Sequence, residues 1–481
     1  MFFFLLLTPS SLIFSQEIEL ELKTKEIDSF LFKTMLENKV PGVSYVIVRG
    51  DSIFHQKAFG YADDTGRKMD ISTPVALPAV ANSFTAIAIL QLMEKRKLDL
   101  DDHVVEYFPW FRLKDKEASS KITIRNLLLQ QSGINHLDGE VGFKKQDTSA
   151  QALENLVREL NTFSMESEPG TESVYANANF SILGALIEKI SGQPFEKYIQ
   201  EHIYDPLGMK DSFVNNFNPK SNTRATPHRY WFGQSTTYNP APDRRGIPGS
   251  SNFISIRDAA KYMNALLQRD DRLLKRNSYT LIFDTATAAF PKGSAFGWGR
   301  DKENRTQFFA SGWGEGHSAS MFLFTEQKVG VAVLANSISG FALGNVWDLI
   351  YSPVSIIRGE KPGTDLPIIN YVVYFGILLL PIIFCILIFI LLRRYFLHRT
   401  IPKPALWNRI LFLIGSILFA WFLLFNLPGI VSQVPLEVVF LYVPDIGWAL
   451  LLGSLLCILW ALLRIVIPNL ANRKIDTRVT N

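Results

Sequence analysis

From Ile368 onward the sequence turns strongly apolar, and this fixes the solvent of the last quarter of the chain. Three runs stand out: Tyr371 to Leu392, Ile410 to Val431, and roughly Val438 to Ile467, of which Trp448 to Ile467 is the uninterrupted part. At about 1.5 Å of rise per residue each is long enough to cross ~30 Å of hydrocarbon. Buried helices of a soluble core rarely go so long without charge, so these runs predict three transmembrane helices. Pro444 and Asp445 interrupt the start of the third, and Arg464 stands near its other end, within snorkelling reach of headgroups.

Basic residues orient the spans, because Lys and Arg are retained on the cytoplasmic side. Arg393, Arg394, Arg399, Lys403 and Arg409 separate the first two spans, and Arg473, Lys474 and Arg478 follow the third. The segment from Ser432 to Glu437 has none. The expected arrangement is a multi-pass cell-membrane protein with a cytoplasmic C-terminus and everything before the first span outside. The N-terminus agrees, since MFFFLLLTPSSLIFSQ is a short apolar stretch with Ser15 at a plausible cleavage point, and residues 1–15 read as a signal peptide. The expected division is therefore a signal at 1–15, an exported body at 17–360 and a membrane domain at 368–481.

The body mixes charge, Gly and Pro as a globular domain does. The only cysteines, Cys385 and Cys457, fall in predicted spans, so the body has no disulfide to form. A formal net charge of +4 is modest and its clustered part serves orientation, so no nucleic-acid partner is expected. The seven histidines form no H-E-x-x-H or comparable cluster, and neither a metal nor a cofactor is expected.

Along the body, Glu17 to Asn38 reads as a helix. Val40 to Ala62 contains two β-rich runs around a Gly-Asp turn, a hairpin signal. Pro78 reads as the opening of a helix whose apolar face includes Phe84, Ile87 and Leu90 and which ends at the basic run from Lys95 to Lys97. Further loops and helices follow, and from Phe296 the pattern returns to strands. Strands near both ends with helices between predict an α+β fold in which the terminal strands share an antiparallel sheet.

Several stretches in order, PGVSY from Pro41, GYA from Gly60, SFTA from Ser83, LDLDD from Leu98, L-L-x-x-x-S-G from Leu127, Y-x-N from Tyr175, DPLGM from Asp205 and GVAVLAN from Gly330, resemble the serine β-lactamase and penicillin-binding protein superfamily. The likeness spans Lys33 to Asn336 and is nearest the class C-like branch that includes D-alanyl-D-alanine peptidases and esterases. It implies an antiparallel sheet flanked by helices beside an all-helical region, with the reactive site at their junction. The implied chemistry is acyl transfer: a Ser attacks a carbonyl, a Lys one helical turn later activates it, and the Tyr of Y-x-N moves protons.

Carried over residue by residue, the resemblance puts Ala79 at the nucleophile and Asn82 at the lysine. Tyr175 is the catalytic tyrosine, and Asn177, Ser311 and Gly312 line the binding cleft. Ala310 stands where the cleft strand has His or Lys, and Gln130 where a His often precedes Thr-Ser-Gly. A methyl group cannot attack a carbonyl, and a carboxamide is no base at neutral pH. Ser83 and Ser132 match ordinary serines of the pattern, and His317 is a lone histidine in a Gly-rich turn. The reading that follows is a membrane-anchored pseudoenzyme that binds a cell-wall, peptide-like ligand or a partner. The alternatives are a working hydrolase with a non-standard nucleophile, and a protein whose spans do the main work with the outer domain as sensor.

Overall fold

The computed structural model describes residues 9–141, 146–215, 218–241, 243–283, 294–301, 306–363, 366–397, 405–432 and 434–479. The chain divides into two compact units, Met1–Asp365 and Leu366–Asn481. Residues 1–8 of the expected signal segment, and Arg399 and Lys403 of the basic loop, lie outside the described residues.

The first unit is built on twelve described strands: β1 (Gly42–Arg49), β2 (Ser52–Gly60), β3 (Val75–Ala76), β4 (Phe213–Val214), β5 (His228–Trp231), β6 (Gln234–Thr237), β7 (Asn252–Ile254), β8 (Ser294–Ala295), β9 (Trp298–Arg300), β10 (Gln307–Gly314), β11 (His317–Phe324) and β12 (Val329–Ala335). Seven form one antiparallel sheet in the order β2-β1-β12-β11-β10-β9-β8. The terminal strands pair as the sequence pattern predicts, from Val43 opposite Ala335 to Arg49 opposite Val329. β1 and β2 form the expected hairpin around Gly50 and Asp51, with Gly50 at φ 66° in the left-handed conformation such a turn demands. β3-β7-β4 make a small second sheet, and β5-β6 a separate hairpin.

β1, β11 and β12 are apolar on both faces because helices cover both. Tyr45, Ile47, Phe322, Val331 and Val333 pack with Ile27, Leu31 and Met35 of α1 (Pro9–Glu37) and with Leu349 and Ile350 of a helix near the end of the unit. Val46, Val48, Met321 and Leu334 face the main core. That core holds α2 (Asn82–Glu94), α3 (Ile124–Leu128), α4 (Asn177–Ser191) and α5 (Ile256–Gln268), whereas the covering helix near the end is α6 (Trp347–Arg358). α5 starts where Ser255 caps the Asp258 N–H at 3.1 Å, and its 3.6-residue stripe of Ala259, Ala260, Met263 and Leu266 lies inward.

Two expectations about α2 are corrected. Pro78 does not open it: Pro78 to Ala81 form a tight turn and the helix begins at Asn82. Nor does it carry a single apolar face, since every residue from Asn82 to Leu92 is buried. Such a helix is a central post of the domain, packed against α4 and, through Phe84 stacked on Tyr262 at 4.1 Å, against α5, which in turn meets β1 and β12. Arg96, at φ 53°, then ends its basic tail.

The second unit contains three helices long and apolar enough to cross a membrane: Ile368–Phe396, Leu406–Val431 and Pro444–Pro468. The first is α7 (Ile368–Phe396). The second starts as α8 (Leu406–Trp421) and widens to a π-helical turn over Phe422–Asn426, just before Pro428, whose missing N–H and bulky ring disfavour regular α geometry there. The third begins later than the sequence suggested: α9 (Leu436–Tyr442) is separate, and α10 (Pro444–Val479) restarts at the proline. Trp460 packs against Phe384 and Phe412, with ring centroids 6.0 and 5.1 Å away, and the Arg464 guanidinium lies 4.6 Å from the centre of the Phe412 ring. Ser416 of the Gly415-Ser416 pair is buried, with its carbonyl 3.9 Å from Cys457 Sγ, whereas a Cβ on Gly415 would meet nothing within 4 Å.

A buried polar anchor of the helical region is Arg244, 3% exposed. Its guanidinium donates to Glu188, to Glu196 Oε2 at 2.6 Å and to the Ala150 carbonyl at 3.1 Å. Removing one side of a buried ion pair strands the other, at a cost of about 3–5 kcal/mol. Arg244→Ala is expected to lower unfolding stability by that amount in denaturant titration of the protein, and a loss below about 1 kcal/mol would contradict the anchoring role.

Candidate active site

Ala79 sits in the turn that leads into α2 and holds φ 59°, a left-handed conformation that L-residues adopt only under tertiary constraint. Its N–H donates to the Gly249 carbonyl at 2.9 Å. From the sheet side β10 closes on the same turn: a Cβ placed on Gly312 would stand 2.3 Å from the Pro78 carbonyl oxygen and 2.7 Å from Ala79 Cβ. Gly297, at φ 80°, lies as near, its hypothetical Cβ 2.4 Å from the Ser83 N–H nitrogen. Only residues without side chains allow three backbones to meet here.

β9 pairs with β10 at Phe308 and Phe309, and among the described residues no strand pairs with β10 on that side beyond them. The Ala310 to Gly314 part of β10 runs on beyond that pairing, beside the Ala79 turn. From the helical side come Tyr175 and Asn177. The Asn82 amide Nδ2 donates to Tyr175 Oη at 3.4 Å, and Tyr175 Oη donates to Asn177 Oδ1 at 3.0 Å. Asn82 is 2% exposed, and its Oδ1 has no hydrogen-bond partner among the described residues. Gln130 holds this segment, since its Oε1 accepts from the Ala176 N–H at 3.1 Å and from the Asn179 amide. His136 adds a ring contact, Nδ1 to the Tyr175 carbonyl at 2.7 Å.

The fold thus brings Ala79, Asn82, Tyr175, Asn177 and Gly312 to one place. Ser311 is different: strand alternation turns it to the α6 face, where its Oγ bonds Tyr351 Oη at 2.6 Å. The expectation that its hydroxyl lines the cleft is corrected accordingly. Ser83 is fully buried, donating to the Val80 carbonyl at 2.8 Å and accepting from Tyr262 Oη at 2.9 Å, with burial raising the Tyr262 pKa well above its usual value. Ser132 donates to Asn179 Oδ1 at 2.7 Å and accepts from the Ile134 N–H. His317 is buried between the Glu315 and Ala225 carbonyls, and burial, aided by the nearby Arg224 charge, pushes its pKa down to about 3. A neutral imidazole so enclosed is a packing residue.

One group at the cleft is absent from the sequence reading. Glu315 occupies the β10–β11 turn, three residues beyond Gly312, and Glu315 Oε1 accepts from Ser250 Oγ at 3.0 Å and from Ser251 Oγ at 2.9 Å. Ser250 directly follows Gly249, whose carbonyl holds Ala79. Burial raises the Glu315 pKa above the ordinary carboxylate value, against the lowering effect of both hydroxyls and of Arg224. The sequence hint was an acid flanked by two glycines, but its partners lie 64 and 65 residues away.

An antiparallel sheet, a helical region and a cleft at their junction define the β-lactamase and transpeptidase class of fold, and comparisons with known proteins agree. The β-lactamase family profile matches residues 27–347. The chain belongs to the β-lactamase family. Protein flp of Staphylococcus aureus strain MW2 is 27% identical over 322 residues, covering 65% of this chain and 63% of flp, so the chain spans under two thirds of that relative's length. Among solved structures, the octameric penicillin-binding protein homologue from Pyrococcus abyssi superposes with a TM-score of 0.59 at 25% identity, over 74% of this chain and 81% of the homologue. The D-amino acid amidase from Ochrobactrum anthropi SV3 gives 0.58 at 20% identity, over 70% and 99% respectively, a likeness of fold.

The Ala79 conformation is checked by relief of strain. A left-handed φ costs an L-residue about 1 kcal/mol that glycine does not incur. Ala79→Gly is therefore expected to keep or raise stability, by up to about 1 kcal/mol, where an alanine in ordinary helical geometry would lose a similar amount. A loss of 1 kcal/mol in denaturant titration would contradict the turn geometry.

Proposed function

We propose that this chain is a membrane-anchored β-lactamase-like protein whose cleft binds a cell-wall, peptide-like ligand without the family's Ser–Lys acylation at positions 79 and 82, a pseudoenzyme for that reaction. One observation carries the reading. The Tyr175–Asn177 pair, Gly312 of β10 and the Ala79 turn come together, yet the two positions that the resemblance gives to nucleophile and activating amine hold a methyl and a carboxamide. Losing such a nucleophile costs several powers of ten in rate, leaving what binding alone supplies. Hydrogen-bond capacity for a peptide is supported by Asn82 Oδ1, which has no partner among the described residues and lies beside the Tyr175–Asn177 pair.

The proposed site of action is the outer surface of the cell membrane. The three apolar helices supply the anchor, and the Lys and Arg distribution supports an exported first unit with a cytoplasmic C-terminus. Protease added to intact cells is then expected to degrade the first unit and spare the segment from residue 368 onward. Protection of both would contradict the orientation.

Acylation is tested by incubating the detergent-solubilised protein with a fluorescent penicillin and recording its intact mass. No adduct is expected on the parent chain, whereas the Ala79→Ser plus Asn82→Lys double variant is expected to gain one. A penicillin adduct on the parent chain would sink the pseudoenzyme reading.

A further inference from the structure

The family's attacking hydroxyl is missing at Ala79, but another hydroxyl stands one residue beyond the backbone that touches it. Ser250 follows Gly249, the acceptor of the Ala79 N–H, and Glu315 lies three residues past Gly312, which packs on the same turn. Two polypeptide segments gripping the vacated position thus deliver a hydroxyl and a carboxylate, 3.0 Å apart. We propose that Ser250 and Glu315 act as nucleophile and general base in a second, independent reaction of this cleft: hydrolysis of a carboxylic ester.

The two serines on Glu315 are not equivalent. Ser251 is 2% exposed and holds Oε1 from the buried side, at 2.9 Å. Ser250 is only partly buried, and its single hydroxyl hydrogen is shared between Glu315 and the Gly246 carbonyl, also at 3.0 Å, with Ser251 Oγ 3.2 Å away. One serine therefore positions the carboxylate and the other can reach a substrate. Burial raises the Glu315 pKa and so makes its carboxylate a stronger base than an exposed one, with Asp243 acting in the same direction, while the two serine hydroxyls and Arg224 favour the charged form.

The reaction balances without a further reactant except water. Ser250 Oγ bonds to the ester carbonyl carbon while its proton passes to Glu315, and the carbonyl π pair moves to oxygen. Collapse of the adduct breaks the bond to the alcohol oxygen, which leaves with the proton from Glu315. Water then adds to the acyl-serine, giving a proton to Glu315. The second collapse returns that proton to Ser250 Oγ and releases a carboxylic acid. A carboxylate is a modest base, so esters, whose alcohol leaves readily, suit it better than peptides, whose amine must be protonated to leave.

The test uses the full chain in detergent micelles with an alkyl fluorophosphonate and, separately, p-nitrophenyl acetate. The expected result is one covalent adduct mapping to Ser250, absent from Ser250→Ala together with ester turnover. Glu315→Gln is expected to slow labelling roughly a hundredfold or more, the range of general-base contributions. Mapping on the parent chain needs no variant, so a folding defect in Glu315→Gln leaves the test intact. No adduct, an adduct elsewhere, or turnover undiminished in Ser250→Ala would overturn the proposal. A penicillin adduct would instead overturn the pseudoenzyme reading and leave this one standing.

Discussion

The close approach of three backbones around Ala79 is the constraint on which the cleft depends. β10 can lie against the Pro78–Ala79 turn only because Gly312 presents no Cβ, and the Phe296–Gly297 corner can reach the first turn of α2 for the same reason. The turn in turn is tied to Gly249 by one hydrogen bond. These contacts force Ala79 into a conformation its own side chain disfavours, and they persist although position 79 carries no reactive group. Strain of this kind is maintained by surrounding packing, not by the residue that bears it.

The polar side of the cleft is held differently. Gln130, itself at φ 54°, uses its side-chain oxygen to fix Ala176 and Asn179, and so sets where Tyr175 and Asn177 enter. Asn82 then meets Tyr175 across the junction between helical region and sheet. A carboxamide there can exchange hydrogen bonds in either direction but carries no charge, so it cannot stand in for a basic amine. The charge near the site lies instead on Glu315 and Arg224, at the far end of β10.

Much of this was legible from residue patterns. β-rich apolar runs in Val43 to Val48 and Val331 to Ala335 pointed to strands, and their burial on both faces explains why they do not alternate. The motifs singled out Ala79, Asn82, Tyr175, Asn177 and Gly312, which the fold brings close together. Ser311 failed because a motif names a strand position but not the face that a side chain takes. Pro78 failed because a proline tolerated in a first helical turn is equally at home in the turn before it. Glu315 and its serines were invisible because pairing across a loop and a hairpin leaves no spacing signature.

What the sequence determined alone is chemical inventory and solvent: the absence of hydroxyl and amine at positions 79 and 82, and three apolar stretches long enough to span a bilayer. Both are properties of residues counted along the chain. What only the tertiary structure decided is proximity: that Ser250 and Glu315 share a hydrogen bond beside an emptied position, and that Ser311 faces away from it. Distances between residues far apart in sequence arise from the packing of sheet on helix, and no local pattern encodes them.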